Sequence, residues 1–180
     1  RGLGDVYKRQ PDYREIAKYT GVLYPYNMEV FRDRLARAGM SEQAEDFFLA
    51  SGRWATELYK ADIEMDLRTE GLAGFQLLDL QDYPGQGSAY VGILDAFMDS
   101  KGLVSPERWR GFCNEVVPLL LTEKFCWTEG ETLMARVKVA HYAARSLQGT
   151  ELAWTLRGEQ GHVAGKGVCP IVSSGRGLLE

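Results

Sequence analysis

Between Pro11 and Glu70 apolar residues return roughly every third or fourth position, the period of helices with one buried face. Pro11 suits a first helical turn, where its missing N–H costs nothing, and Asp12 and Glu15 complement the positive end of a helix dipole. Asn27 is placed to cap a second helix, along which Met28, Phe31, Leu35 and Ala38 repeat until Gly39 stops the run. Ser41 opens a third, with Ala44, Phe47, Phe48, Trp54, Ala55, Leu58, Ala61 and Met65 on one apolar face. Gly52 in its middle costs about 1 kcal/mol against Ala, so Ser51-Gly52 is the place for a kink or a break.

The period then changes. Gly71–Leu80 reads as a strand apolar on both sides, as in a parallel sheet covered by helices. Within GFQLLDLQDYPGQG (residues 74–87) this strand runs into acids, amides and a Pro-Gly turn. A strand of an α/β barrel that delivers polar groups to the barrel mouth has that form. Ser105, Pro106 and Glu107 start a short connecting helix over residues 104–115. From Val116 onward the pattern is β. Leu133, Ala135, Val137 and Val139 alternate with Met134, Arg136 and Lys138, and Leu152, Trp154 and Leu156 alternate with Glu151, Thr155 and Arg157. GEQG at 158–161 signals a hairpin turn. Short antiparallel strands with spaced turns point to a sandwich; about 65 residues remain where such a domain takes about 100, so it is expected to be truncated.

Composition changes this picture little. Of 180 residues, 45% are apolar and 26% charged, the balance of a globular protein. A net charge of -4 and no long Lys/Arg run argue against nucleic acid as a partner. No apolar run approaches the roughly 20 residues of a membrane span; the longest, VVPLLL at 116–121, has strand length. Cys113, Cys126 and Cys169 are scattered and odd in number, which makes buried free thiols the expectation. With only His141 and His162 beside them, neither a metal site nor a cofactor is expected. Residues 5–10, DVYKRQ, resemble the translation of a transposon-adapter end used in preparing sequencing libraries, so residues 1–10 are expected to be a non-native leader.

Over residues 11–140 the stretches PDYREIAKYTGVL, FRDRLARAGM, FFLASG, GFQLLDLQDYPGQG, GILDAFMDSKG and KFCWTEGET occur in order. In these the chain resembles glycoside hydrolase family 2, in particular its β-galactosidase-like members. The resemblance implies an α+β fragment: the last helices and strand of a TIM (β/α)8 barrel over 11–103, the connecting helix over 104–115, and a partial immunoglobulin-like antiparallel sandwich over 116–180. In the family the eighth barrel strand often ends in a Trp-Asp or Trp-Asn pair, with another Asp three residues on. Leu78-Asp79 and Asp82 stand at those places, so a leucine replaces the aromatic sugar platform.

Asp79, Gln81, Asp82 and Gln86, with Gln76 deeper in the strand, are therefore the candidate sugar-binding residues. None of them is a candidate for catalysis. Glycosidases set two carboxylates on opposite sides of the scissile bond, and the family supplies glutamates from its fourth and seventh strands. The place of the seventh-strand nucleophile is occupied here by the adapter-like residues. The acids at Glu42, Glu45 and Asp46, and at Asp62, Glu64 and Asp66, read as helix-end and surface groups. Trp54, Trp109, Trp127 and Trp154 read as core, and His141 as structural. The resemblance implies part of a periplasmic or secreted, retaining exo-β-glycosidase acting on a β-galactoside, β-glucuronide or β-mannoside. The competing expectation is a non-catalytic carbohydrate-binding sandwich, which needs an exposed aromatic row containing Trp127 and Trp154.

Overall fold

The computed structural model describes residues 11–85, 89–171 and 175–179; the expected leader and Gln86 lie outside them. The chain is mixed α+β and divides into two compact units. One runs through Ile63 and resumes over Phe75–Arg110; the other comprises Glu64–Gly74 and the described residues from Gly111 onward.

In the first unit, the turn predicted as a helix start is a 3-10 helix, Tyr13–Lys18, capped by the Asp12 carboxylate, which accepts the Arg14 N–H at 3.1 Å. Glu15 points inward and is buried, instead of serving the helix dipole from the surface. Helix α1 (Tyr26–Arg37) begins after Pro25, so Asn27 lies inside the helix and not at its cap. Its end is as predicted. Gly39 takes a φ of 71°, its N–H bonds the Ala36 carbonyl at 2.9 Å, and the Met40 N–H bonds the Leu35 carbonyl at 3.1 Å. That crossed pair satisfies the last carbonyls of the helix, and glycine carries the left-handed turn without a Cβ clash.

Helix α2 (Ala44–Arg68) runs through Gly52 without a break. Glycine there makes room: a Cβ would lie 2.3 Å from Leu103 Cδ2. The buried stripe of α2 within this unit runs Phe48, Ala55, Ile63. Trp54 is one step off that stripe and is 65% exposed, which corrects its assignment to the core.

The predicted strand over Gly71–Leu80 is absent. Residues 72–80 carry no strand, and Phe75, Leu78 and Leu80 are exposed rather than buried on both sides. A parallel strand exists only with a neighbour to bond. Among the described residues, the neighbouring contact is a single parallel bridge between Gln81 and Leu94. The helix after Ser105 forms as α3 (Pro106–Arg110).

The second unit is antiparallel β. Strand β1 (Val116–Thr122) pairs with β2 (Ala135–His141), and β2 with β5 (Gly177–Leu179). Strands β3 (Glu151–Arg157) and β4 (Val163–Pro170) form a separate hairpin, with the predicted GEQG turn closed by Gly158 N–H to His162 O and Gly161 N–H to Gly158 O, both 2.8 Å. Pro118 is tolerated because β1 is an edge strand. In β1, Val117 and Leu119 are buried between exposed Pro118 and Leu120. The alternation predicted for β2 does not form: its first half is exposed, and Val139, Ala140 and His141 are buried in succession. Ala135 and Val137 are exposed, and burial begins at Val139, which packs with Leu147, Val116 and Ile171.

On the β3–β4 hairpin Leu152, Trp154 and Leu156 share a face as predicted, but Trp154 is 44% exposed and lies over Gly165 and Gly167. Trp109 and Trp127 are half-buried. The cysteines are free, yet Cys126 and Cys169 are exposed, so the expected thiol burial fails there. No described helix is long and apolar enough to cross a membrane.

Candidate functional site

The candidate residues sit in the loop-rich segment that follows residue 75, within the first unit. Gln76 and Gln81 are exposed, Asp79 is half-buried, and Leu78 is exposed. Asp79 holds a φ of 61°, in the left-handed region that non-glycine residues seldom enter. The Tyr59 hydroxyl donates to its carbonyl at 3.4 Å, and the Tyr59 ring meets Trp109 edge-on at 6.0 Å.

Asp82 behaves differently. It was expected at the mouth beside Asp79, but it is 1% exposed. Its Oδ1 accepts the Gly92 N–H at 2.9 Å, and the Lys101 ammonium lies 2.6 Å from Oδ2. Backbone bonds hold these partners in register: Asp82 N–H to Leu94 O at 3.1 Å, Leu94 N–H to Leu80 O at 3.1 Å, and Tyr83 N–H to Ala89 O at 2.9 Å. Gly92 must be glycine for this approach, since a Cβ would stand 2.3 Å from the Gln81 carbonyl carbon and 2.5 Å from the Asp82 nitrogen. A carboxylate so enclosed fastens two chain segments together. In this structure it is the support of the loop, with no face turned to solvent.

Two further groups join it. Glu15 is 2% exposed, and its Oε1 accepts the Ala96 N–H at 3.1 Å and the Tyr19 hydroxyl at 3.0 Å. Asp95, also buried, caps a turn by accepting the N–H groups of Phe97 and Asp99, both at 2.9 Å, and pairs with Lys18, which also reaches Asp99 at 2.8 Å. Burial opposes the Asp95 charge, but Lys18 and the two N–H groups outweigh it and hold the carboxyl below its ordinary value. The same carboxylates raise Lys18.

Beside these groups lies a cavity of about 310 Å³, lined by Lys18, Tyr19, Leu23, Pro84, Ala96 and Phe97 among others. Its wall is mostly apolar, and the Tyr19 and Phe97 rings meet edge-on at 5.0 Å.

In the sequence Glu15 shows only as a helix-end acid, and Asp95, Lys18 and Lys101 carry no sign of a role. Asp95 and Lys101 fall in GILDAFMDSKG, but a lone lysine in a polar loop carries no local sign of burial. Chemically, Asp79 with Gln76 and Gln81 offers hydrogen bonds to a hydroxylated ligand. Glu15 and Asp82 are enclosed, and so are not a pair set across an open bond as glycoside hydrolysis requires. Among the described residues no cluster of His, Cys, Asp and Glu has the arrangement of a metal site. Compared with known proteins, the chain matches no family model and no curated sequence.

Proposed function

We propose that this chain is part of a retaining exo-β-glycosidase of glycoside hydrolase family 2, carrying the end of the (β/α)8 barrel and the start of the following immunoglobulin-like sandwich. The observation that carries this reading is the ordered series of family-like stretches from PDYREIAKYTGVL to KFCWTEGET. The position of Asp79 supports it: a half-buried carboxylate on a left-handed residue, flanked by exposed Gln76 and Gln81, is suited to bonding sugar hydroxyls. Asp82 then holds the mouth from beneath through Lys101 and Gly92. The substrate is a β-galactoside, with β-glucuronide and β-mannoside as alternatives, and the whole enzyme is periplasmic or secreted. Both catalytic glutamates belong to barrel strands that have no counterpart in these residues.

The reading is tested on the gene. Extending the reading frame upstream must supply a barrel with two glutamates, and the extended protein must cleave a chromogenic β-glycoside with retention of configuration. The 180-residue chain alone must not. Turnover by this chain, lost in Asp79→Asn, would place a complete active site within it and overturn the assignment.

One observation favours the second reading, a carbohydrate-binding sheet: Trp154 is exposed on the β3–β4 hairpin. Its neighbours on that face are Leu152, Leu156, two glycines and Cys169, whose thiol is only a weak donor for a sugar ring. Quenching of Trp154 fluorescence by glycans, absent in Trp154→Ala, would restore it.

A further inference from the structure

We propose that Glu15 and Asp82 share one proton, carried by Glu15, and that this proton latches Asp82 and residues 89–101 onto the turn at residues 12–19. The inference stands apart from the glycosidase reading. Glu15, Asp82 and Lys101 are 2%, 1% and 6% exposed; the Lys101 ammonium lies 2.6 Å from Asp82, and both charges act on Glu15. Fully ionised, the group keeps an uncompensated negative charge, which a buried site disfavours strongly. One proton makes it neutral.

Geometry says where the proton sits. Burial raises Asp82 too, but the Lys101 ammonium and the Gly92 N–H favour its anion, and Glu15 has no such cation bonded to it. Glu15 has only neutral donors, the Ala96 N–H and the Tyr19 hydroxyl, and both serve Oε1. Its other oxygen, Oε2, is buried with no donor. A proton on Oε2 turns that stranded acceptor into a donor, and Asp82, whose charge acts on Glu15, is the acceptor assigned to it.

The titratable groups facing Glu15 are Tyr19 on its own turn and Tyr90, Asp82 and Lys101 from the other segment. Both tyrosines have their ionisation pushed up by burial first and then by Glu15, so they stay neutral. Burial first, with the Asp82 charge adding to it, raises Glu15 to about 7 against the opposing pull of Ala96, Tyr19 and Lys101.

The latch reaches the cavity wall. Tyr19 and Ala96, which hold Oε1, also line the cavity of about 310 Å³. Loss of the proton sets a second anion against Asp82, and the strain falls on that wall. The sign follows from the raised value. Folded Glu15 binds its proton more tightly than unfolded Glu15, so the added stability is complete below the ordinary value of 4.5 and is lost as pH rises to about 7.

The test uses the full chain. Carbon-13 NMR of the glutamate side-chain carboxyls should show one neutral carboxyl persisting at about pH 6, where an ordinary glutamate is ionised. That signal should be missing in Glu15→Gln. The melting temperature of the wild type should fall as pH is raised from about 5 to about 7, and Glu15→Gln, whose amide reproduces the donor, should lose that slope. A Glu15 carboxyl that titrates in the ordinary range, or an unchanged slope in Glu15→Gln, overturns the proposal. The NMR signal is read on the wild type, so the outcome does not depend on the variant folding.

Discussion

Replacing Lys101 by Met removes the ammonium from the Asp82 pair while keeping most of the apolar stem. Both side chains are enclosed, at 2% and 0% exposure, and the charged atoms are 2.6 Å apart. Breaking such a pair by deleting one partner costs about 3–5 kcal/mol, because the remaining charge is buried alone. A second route to the magnitude agrees. The stranded Asp82 can escape by taking up a proton, and at pH 7 protonating a carboxyl of ordinary pKa near 3.9 costs about 4 kcal/mol, at 1.36 kcal/mol per pH unit. That route also sets the pH dependence, because the penalty shrinks to about 1.5 kcal/mol at pH 5. Urea denaturation of wild type, Lys101→Met, Asp82→Asn and the double variant at these two pH values reads both quantities. The double variant should recover much of the loss, since neither charge then remains. A Lys101→Met loss below about 1 kcal/mol at neutral pH, or one that ignores pH, would refute the buried pair. Additive single losses would do the same.

Gly92→Ala should cost about 1–3 kcal/mol or more by denaturation, because its Cβ would meet the backbone of Gln81 and Asp82 at 2.3–2.5 Å and no flexible side chain can yield. A neutral Gly92→Ala would mean that the two segments do not approach so closely. At Asp79, φ of 61° predicts that Asp79→Gly stays within about 1 kcal/mol of wild type while Asp79→Val loses about 1–2 kcal/mol. Equal losses from both would show that the carboxylate, not the backbone, holds that turn.

What the amino-acid order determined by itself is the structure whose partners are near in sequence. Gly39 stops α1 because the needed left-handed turn and its two hydrogen bonds all lie within six residues, Leu35–Met40. The same holds for Pro106 at the start of α3 and for the turn at 158–161 that pairs β3 with β4. Tertiary structure decided what depends on distant neighbours. An apolar run such as Phe75–Leu80 becomes a strand only if another strand bonds it along its length, and here a single bridge at Gln81 meets it. Trp54 and Ala55 are adjacent and both apolar, yet only Ala55 is buried, because the helix face that packs is chosen by its surroundings. Asp79 and Asp82 read alike in the sequence, three positions apart in one polar loop. Lys101, nineteen residues beyond Asp82, separates them: the buried ammonium and the Gly92 N–H make Asp82 a support, while Asp79 is only half-buried. Long-range charge compensation leaves no periodic trace along a chain, and so the support of the site appeared only once the segments were folded together.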